Sequence, residues 1–168
     1  MVWKQTPIRY DHVRQRTPRS PKHLMNEVVM SQPERTLVLV KPDGVERGLT
    51  GEILSRIERK GYQIVELNML NATPQMLAVH YEEHEGKEFF EPLVNFMASG
   101  PIVAAIVEGE RVIEGIRVLA GISDPTLAEP GTIRGDLGRD WGEGVQKNLI
   151  HASDSTLSAQ REMDIWFG

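Results

Sequence analysis

A single histidine lies in a short segment that could present it to a reactant. His151 follows the apolar pair Leu149 and Ile150 and precedes Ala-Ser-Asp-Ser. The reference pKa of histidine is about 6.5, so near pH 7 most of the imidazole is neutral and carries a nucleophilic lone pair. One histidine after an apolar run is also typical of a structural role. The residue types by themselves therefore leave nucleophilic catalysis and a structural role open.

A second pair of histidines has the spacing of a metal site. His80 and His84 enclose Tyr-Glu-Glu, which matches the inverted zincin pattern H-x-x-E-H. Two histidines four residues apart share one face of a helix and could bind zinc there. A surface helix with a chance spacing is the alternative. A zinc peptidase would also need a third ligand and a large substrate cleft.

The familiar phosphate-binding loops are absent from the sequence. Neither G-x-x-x-x-G-K-[ST] nor G-x-G-x-x-G occurs. Cationic side chains would therefore have to hold most of a bound nucleotide. Lys41 ends an apolar run before Pro-Asp-Gly, and Arg134 lies in the sequence Pro-Gly-Thr-Ile-Arg-Gly-Asp, upstream of His151.

The elements that must position these residues follow from the apolar periodicity, which alternates between strand and helix from Arg35 onward. Strands are predicted at 36–40, 62–70 and 102–107, with a short apolar run at 149–150. Helices are predicted at 49–60, from Thr73-Pro74 to about 85, at about 87–98, at 109–120 and at 155–167, with a long loop at 124–136. This order predicts an α/β (α+β) domain with a ferredoxin-like split βαβ core, in which helices cover a four-stranded, mainly antiparallel sheet.

Charge divides the 168 residues into two parts. The first 30 carry six Lys or Arg and two Asp or Glu, whereas the whole chain has a net charge of −5. We predict a basic, disordered N-terminal extension over 1–33 and one folded domain over 34–168. A start at Met30, a cloning remnant and a mitochondrial transit peptide are other interpretations of the extension.

Composition excludes several classes of function. The chain has no cysteine, which removes a disulfide scaffold, a thiol nucleophile and an iron–sulfur cluster. The acidic balance argues against nucleic acid as a partner, and no apolar run is long enough to span a membrane. We expect a cytoplasmic protein.

Five segments, in a fixed order, closely resemble nucleoside diphosphate kinases. They are Lys41-Pro-Asp-Gly-Val45, Arg47-Gly-Leu49, Ser99-Gly-Pro101, Pro130-Gly-Thr-Ile-Arg-Gly-Asp136, and Asn148 through His151-Ala-Ser-Asp-Ser155. The resemblance runs from about Glu34 to Phe167. It implies an enzyme, a phosphotransferase, that moves the γ-phosphate of a nucleoside triphosphate, typically ATP, to a nucleoside diphosphate. The mechanism it implies is ping-pong through a phosphohistidine.

The resemblance also implies the catalytic residues. His151 is the nucleophile, attacking through Nδ1. Glu162 is the carboxylate that orients the other ring nitrogen, with Ser153 bridging nearby. Tyr81 matches the tyrosine near the phosphates, and Lys41 would donate to the transferring γ-phosphate.

The nucleotide-binding residues come from the same resemblance. Arg117 and Arg134 would hold phosphate oxygens, and Ser123 stands where many members have threonine. Asn148 would contact the ribose. Phe89 and Leu93 match the positions that contact the base: Phe89 by stacking, with Leu93 one turn further on.

The cofactor implied by the resemblance is Mg²⁺, bound with the nucleotide phosphates rather than by a cage of protein carboxylates. The assembly implied is a homo-oligomer, either a hexamer or a tetramer built from dimers. The segment 137–147 is a few residues longer than usual and glycine-rich.

A non-catalytic homologue that binds nucleotides or nucleic acid, with the basic extension as an arm, is the rival hypothesis. The joint presence of His151, Lys41, Arg134 and Glu162 argues against it.

Overall fold

The structure is a computed structural model that describes residues 33–142 and 147–168. Nearly all of the predicted basic extension, residues 1–32, lies outside the described residues, so its predicted disorder stays a prediction.

Four strands and seven α-helices are present in the described part of the chain. The strands are β1 (Glu34–Val40), β2 (Gln63–Leu70), β3 (Ile102–Gly109) and β4 (Ile150–Ala152). The helices are α1 (Pro42–Glu46), α2 (Thr50–Arg59), α3 (Pro74–His80), α4 (Phe90–Met97), α5 (Val112–Ala120), α6 (Ile133–Leu137) and α7 (Thr156–Phe167), and a 3₁₀ turn covers Glu82–His84. None of these helices is long and apolar enough to cross a membrane.

The strands form one sheet in the order β2-β3-β1-β4, and every neighbouring pair is antiparallel. Strands β1 and β2 are joined through α2, while β3 lies between them, which is the split βαβ arrangement. The predicted fold class is therefore confirmed. Strand β4 is a three-residue edge strand, and its middle residue, His151, pairs with Leu39 of β1.

The sheet separates two apolar cores because successive side chains of a strand point to opposite faces. Val38 and Val40 pack with α2, α5 and α6, whereas Leu37 and Leu39 pack with α3, α4 and α7. Burial on both faces explains why β1 is a continuous apolar run. His151 lies opposite Leu39 and therefore belongs to the α7 side of the sheet.

Three predicted boundaries on the α3–α4 and β3–α5 stretches are wrong. The predicted start of α3 is confirmed, since the Thr73 hydroxyl caps the helix by accepting the Met76 amide at 3.2 Å. The helix nevertheless ends at His80 rather than near 85, because Arg161 of α7 donates to the carbonyl groups of Val79 and His80. Helix α4 starts at 90 rather than 87, and β3 runs through 109, where a helix was predicted to begin.

Two short helices were not predicted. Helix α1 follows β1 directly, where no helix was predicted, and it has proline at its first position. Helix α6 lies at the end of the predicted loop 124–136, where the Thr132 hydroxyl accepts the Gly135 amide at 3.0 Å. Each has only five residues, which is too short to give a helical apolar period.

Candidate active site

One cleft of about 820 Å³ opens beside the end of β4. All ten side chains proposed from the sequence line it: Lys41, Tyr81, Phe89, Leu93, Arg117, Ser123, Arg134, Asn148, His151 and Glu162. They come from β4, from α4, α5, α6 and α7, and from the loops between elements. The chain fold therefore collects residues that are up to 121 positions apart in sequence.

The imidazole of His151 is held by the carboxylate of Glu162. Nε2 of His151 lies 2.8 Å from Oε2 of Glu162. A carboxylate accepts hydrogen bonds, so this contact favours the tautomer with its proton on Nε2 and the lone pair on Nδ1. Nδ1 makes no hydrogen bond within the part of the chain that the structure describes. The ring thus offers the nitrogen that the resemblance assigns to attack.

Glu162 is itself fixed by a buried hydroxyl. Ser153 Oγ donates to the same Oε2 atom at 2.7 Å and accepts the Leu37 amide at 3.3 Å. Ser153 and Glu162 are both buried. Helix α7 brings Glu162 to this point, and Ser155 caps its start by accepting the Ser158 amide. The result is a chain of hydrogen bonds from β1 through Ser153 and Glu162 to His151.

Lys41 is a buried cation at the other wall of the cleft. Its Nζ donates to Oδ1 of Asn148 at 2.7 Å, while Nδ2 of Asn148 donates to the Ser123 carbonyl at 2.8 Å. Burial, and secondly the charge of Arg134, lower the pKa of Lys41 to about 8, and the Asp43 carboxylate opposes this shift. An anion that enters the cleft would stabilise this buried ammonium.

Arg134 ties three backbone segments together. Its guanidinium donates to the carbonyl groups of Gly121 at 2.6 Å, Ile150 at 2.6 Å and Asn148 at 3.2 Å. Burial, then the charge of Arg117, lower the pKa of Arg134 to about 10. The residue therefore also supports β4, a role that the sequence did not indicate.

Arg117 is the more accessible arginine of the cleft. It lies in the last turn of α5 and is exposed. Among the described residues it has no ion-pair partner. The guanidinium is available to an anion in the cleft.

An aromatic wall closes the outer end of the cleft. Phe89 is 51% exposed, whereas its neighbour Phe90 packs in the core with α3 and α7. The His84 ring lies edge-on to Phe89 at 5.3 Å and stacks near Tyr81 at 6.1 Å. His84 lines the cleft, a placement that its spacing from His80 did not indicate, because that spacing suggested either a metal ligand or a surface helix.

Tyr81 is buried beneath this wall. Its ring lies 6.5 Å from that of His151, and burial, followed by the charge of Glu162, raises the pKa of its hydroxyl. The Tyr81 hydroxyl has no hydrogen-bond partner within the described residues and remains a neutral donor.

The helical geometry required by the zinc hypothesis does not form. Helix α3 ends at His80, and His84 belongs to the following 3₁₀ turn. His80 is buried, and its Nδ1 accepts the Trp166 indole N–H at 3.2 Å. Burial, and next the proximity of His151, lower the pKa of His80 to about 2, so this ring stays neutral. No pattern of residues around His80 indicates its contact with Trp166.

Comparison with known proteins decides the family. The family model for nucleoside diphosphate kinase matches residues 34–168. The chain belongs to the nucleoside diphosphate kinase family.

Similar proteins agree in sequence and in structure. The nucleoside diphosphate kinase of Streptomyces coelicolor is 62% identical over 135 residues, which cover 80% of this chain and 96% of that protein. That of Mycobacterium marinum is 58% identical over 135 residues, with the same coverage. The family and the enzyme class predicted from the sequence are confirmed.

Two solved structures of the family hold ligands. A halophilic nucleoside diphosphate kinase from Halobacterium salinarum, in complex with CDP, is 44% identical with a TM-score of 0.76 over 80% of this chain and 88% of that one. A transition-state mimic of the enzyme from Borrelia burgdorferi, with vanadate and ADP, is 37% identical with a TM-score of 0.76 over 82% and 88%.

Proposed function

We propose that this nucleoside diphosphate kinase transfers the γ-phosphate of a nucleoside triphosphate, typically ATP, to a nucleoside diphosphate through a phosphohistidine at His151. One observation carries the proposal. A histidine whose Nε2 is held by a buried carboxylate lines the same cleft as three cationic side chains, Lys41, Arg117 and Arg134.

In the first half-reaction, the Nδ1 lone pair of His151 attacks the γ-phosphorus. The bond between that phosphorus and the bridging oxygen breaks, and the nucleoside diphosphate leaves with the electron pair. In the second half-reaction, a terminal oxygen of another nucleoside diphosphate attacks the phosphohistidine, and the N–P bond breaks. Glu162 stabilises the positive charge that develops on the imidazole, because its carboxylate accepts the Nε2 proton in a hydrogen bond.

The cations supply the charge neutralisation on which phosphoryl transfer depends. Lys41 donates to the transferring group, and the arginines hold the β and γ oxygens through N–H groups that the backbone does not use. The Tyr81 hydroxyl and the Ser123 hydroxyl act as neutral donors at the phosphates.

The base and the ribose contact the outer part of the cleft. Phe89 stacks on the base and Leu93 packs against it, which suits a broad choice of nucleotide because every base has a π-face. Asn148 contacts the ribose hydroxyl through its side-chain amide, which in this structure also bonds to Lys41 and to the Ser123 carbonyl.

Mg²⁺ enters this proposal with the nucleotide. Among the described residues, the group that could hold a metal is His80, His151 and Glu162. That group is rich in nitrogen, whereas Mg²⁺ requires oxygen ligands. Asp154 lines the cleft, and hydrogen bonds from Ser158 and other groups lower the pKa of its carboxyl, so it offers an ionised oxygen ligand. The metal would neutralise phosphate charge when bound.

The assembly is proposed as a homo-oligomer, either a hexamer or a tetramer of dimers. Leu67 and Met69 support it, since they are 54% and 59% exposed on the edge strand β2. Sedimentation equilibrium tests the assembly. The cytoplasmic location belongs to the same proposal, because nucleoside triphosphates are made and used there, and cell fractionation tests it.

The deciding experiment is incubation with γ-labelled ATP and Mg²⁺ without an acceptor. We expect label on the protein that is acid-labile and base-stable and that moves to added GDP. The His151→Ala variant should take up none, while the matched control His23→Ala, at a position before the residues that the family model matches, should label normally. Normal labelling of His151→Ala contradicts the assignment. Nucleotide binding without any labelling of the unaltered protein favours the non-catalytic homologue.

A further inference from the structure

The residue that leads into β4 has an unfavourable backbone. Leu149 has φ = +70°, one of two positive values among the described non-glycine residues. The Ile150 amide donates to the Asn148 carbonyl at 2.8 Å, which closes a three-residue γ-turn of the rare positive-φ type around Leu149. A residue other than glycine avoids this region because Cβ crowds the carbonyl oxygen. The surrounding structure must therefore impose the turn.

The segment after β1 holds both peptide groups of Leu149. The Leu149 amide donates to Oδ2 of Asp43 at 3.1 Å, and the Lys41 amide donates to the Leu149 carbonyl at 2.9 Å. Gly44 permits this approach: a Cβ there would lie 3.2 Å from the Leu149 oxygen and 2.8 Å from Val40.

The turn fixes the positions of two side chains of the site. Asn148 precedes it, with its amide between Lys41 and Ser123, and His151 follows two residues later. If the turn relaxed, both side chains would shift relative to each other. Asp43 is 5% exposed and is not among the residues that line the cleft, so it supports the site without touching the substrate.

The Asp43 carboxylate also acts on Lys41 through its charge. Lys41 faces Arg134, Asn148 and Asp43, and of these only Asp43 carries a negative charge that opposes the lowering of the Lys41 pKa. The other oxygen of this carboxylate, Oδ1, is buried without a hydrogen-bond partner in the described residues.

We propose that Asp43 is a positioning residue of the transfer reaction. Its carboxylate fixes the Leu149 turn, and with it Asn148 and His151, and its negative charge faces the Lys41 ammonium. This inference rests on the proposed function.

Two variants separate the two effects. Asp43→Asn retains an oxygen that can accept the Leu149 amide but removes the charge, whereas Asp43→Ala removes both. Glu46→Gln, an exposed carboxylate on the same helix, is the matched control. Each protein is assayed for the rate of labelling by γ-labelled ATP and for the pH dependence of kcat/KM.

We expect Asp43→Asn to move the basic limb of the pH profile to lower pH, because the Lys41 ammonium loses its stabilising charge. We expect Asp43→Ala to lower kcat by about 100-fold, the cost of a displacement of roughly 1 Å in a reacting group. Glu46→Gln should match the unaltered protein in both.

An unchanged basic limb in Asp43→Asn overturns the proposal, as does a folded Asp43→Ala protein with unaltered kcat. If Asp43→Ala does not fold, the pH profile of Asp43→Asn decides. Absence of His151 labelling in the unaltered protein refutes the proposed function instead, so the two failures are distinguishable.

Discussion

Glu162 gives the sharpest prediction, because one oxygen atom accepts from two donors. Oε2 lies 2.8 Å from His151 Nε2 and 2.7 Å from Ser153 Oγ, and the residue is buried. Glu162→Gln keeps the size of the side chain and an oxygen that can accept both donors. The substitution therefore removes the charge and leaves the geometry nearly intact.

The expected loss of labelling rate in Glu162→Gln follows from the hydrogen bond to His151 and not from the one to Ser153. The Ser153 bond is the same before and during transfer, whereas the His151 bond strengthens as positive charge develops on the ring. A hydrogen bond to a charged group contributes about 1.5 kcal/mol more than a neutral one, which corresponds to roughly a tenfold fall in rate. Glu162→Ala also frees the ring orientation, so its loss should exceed that of Glu162→Gln.

The assay is rapid-quench measurement of His151 labelling at saturating ATP, which isolates the first half-reaction. Asp164→Asn is the matched control, since Asp164 is exposed two residues further along α7 and accepts from Gln160. Its labelling rate should be unchanged. If Glu162→Gln labels as fast as the unaltered protein, the carboxylate does not stabilise the transition state, and the reasoning is refuted.

Two further predictions concern the walls of the cleft, and a third concerns the cap of α6. The pKa of Lys41 is about 8, so the ammonium is charged below that pH and loses its proton above it, and kcat/KM should fall above pH 8. The Lys41→Arg variant should not show this fall, because arginine keeps its charge. If kcat/KM of Lys41→Arg falls at the same pH, another group is responsible for the fall. Phe89→Ala should raise KM for nucleoside diphosphates about tenfold or more with little change in kcat, because it removes stacking on the base that contributes about 1–3 kcal/mol. Equal KM values for the variant and the unaltered protein would show that Phe89 does not contact the base. Thr132→Ala removes the cap of α6 and should lower the free energy of unfolding by about 1 kcal/mol in urea titrations, while Thr132→Ser should not; equal midpoints for both variants would contradict the capping role.

Much of the fold could be predicted because its signals are local. The apolar run of β1, the amphipathic α2 and the Thr73-Pro74 start of α3 are encoded within a few neighbouring residues, and each was found near its observed position. The predicted end of α3 is wrong because a partner distant in sequence sets it. Arg161 ends α3 from a separate helix, and no pattern near His80 announces that contact.

The motifs around Lys41, Arg134 and His151 were sufficient to predict the family, because their residue types and spacing can be recognised without the structure. Only the tertiary structure decided how they act together. It turned Arg134 toward three backbone carbonyl groups, set the Leu149 amide on the Asp43 carboxylate, and buried His80 against Trp166. These outcomes depend on distances between chain segments and on the exclusion of water. Neither these distances nor the exclusion of water can be derived from the order of the residues, since both arise when the sheet and its helices pack together.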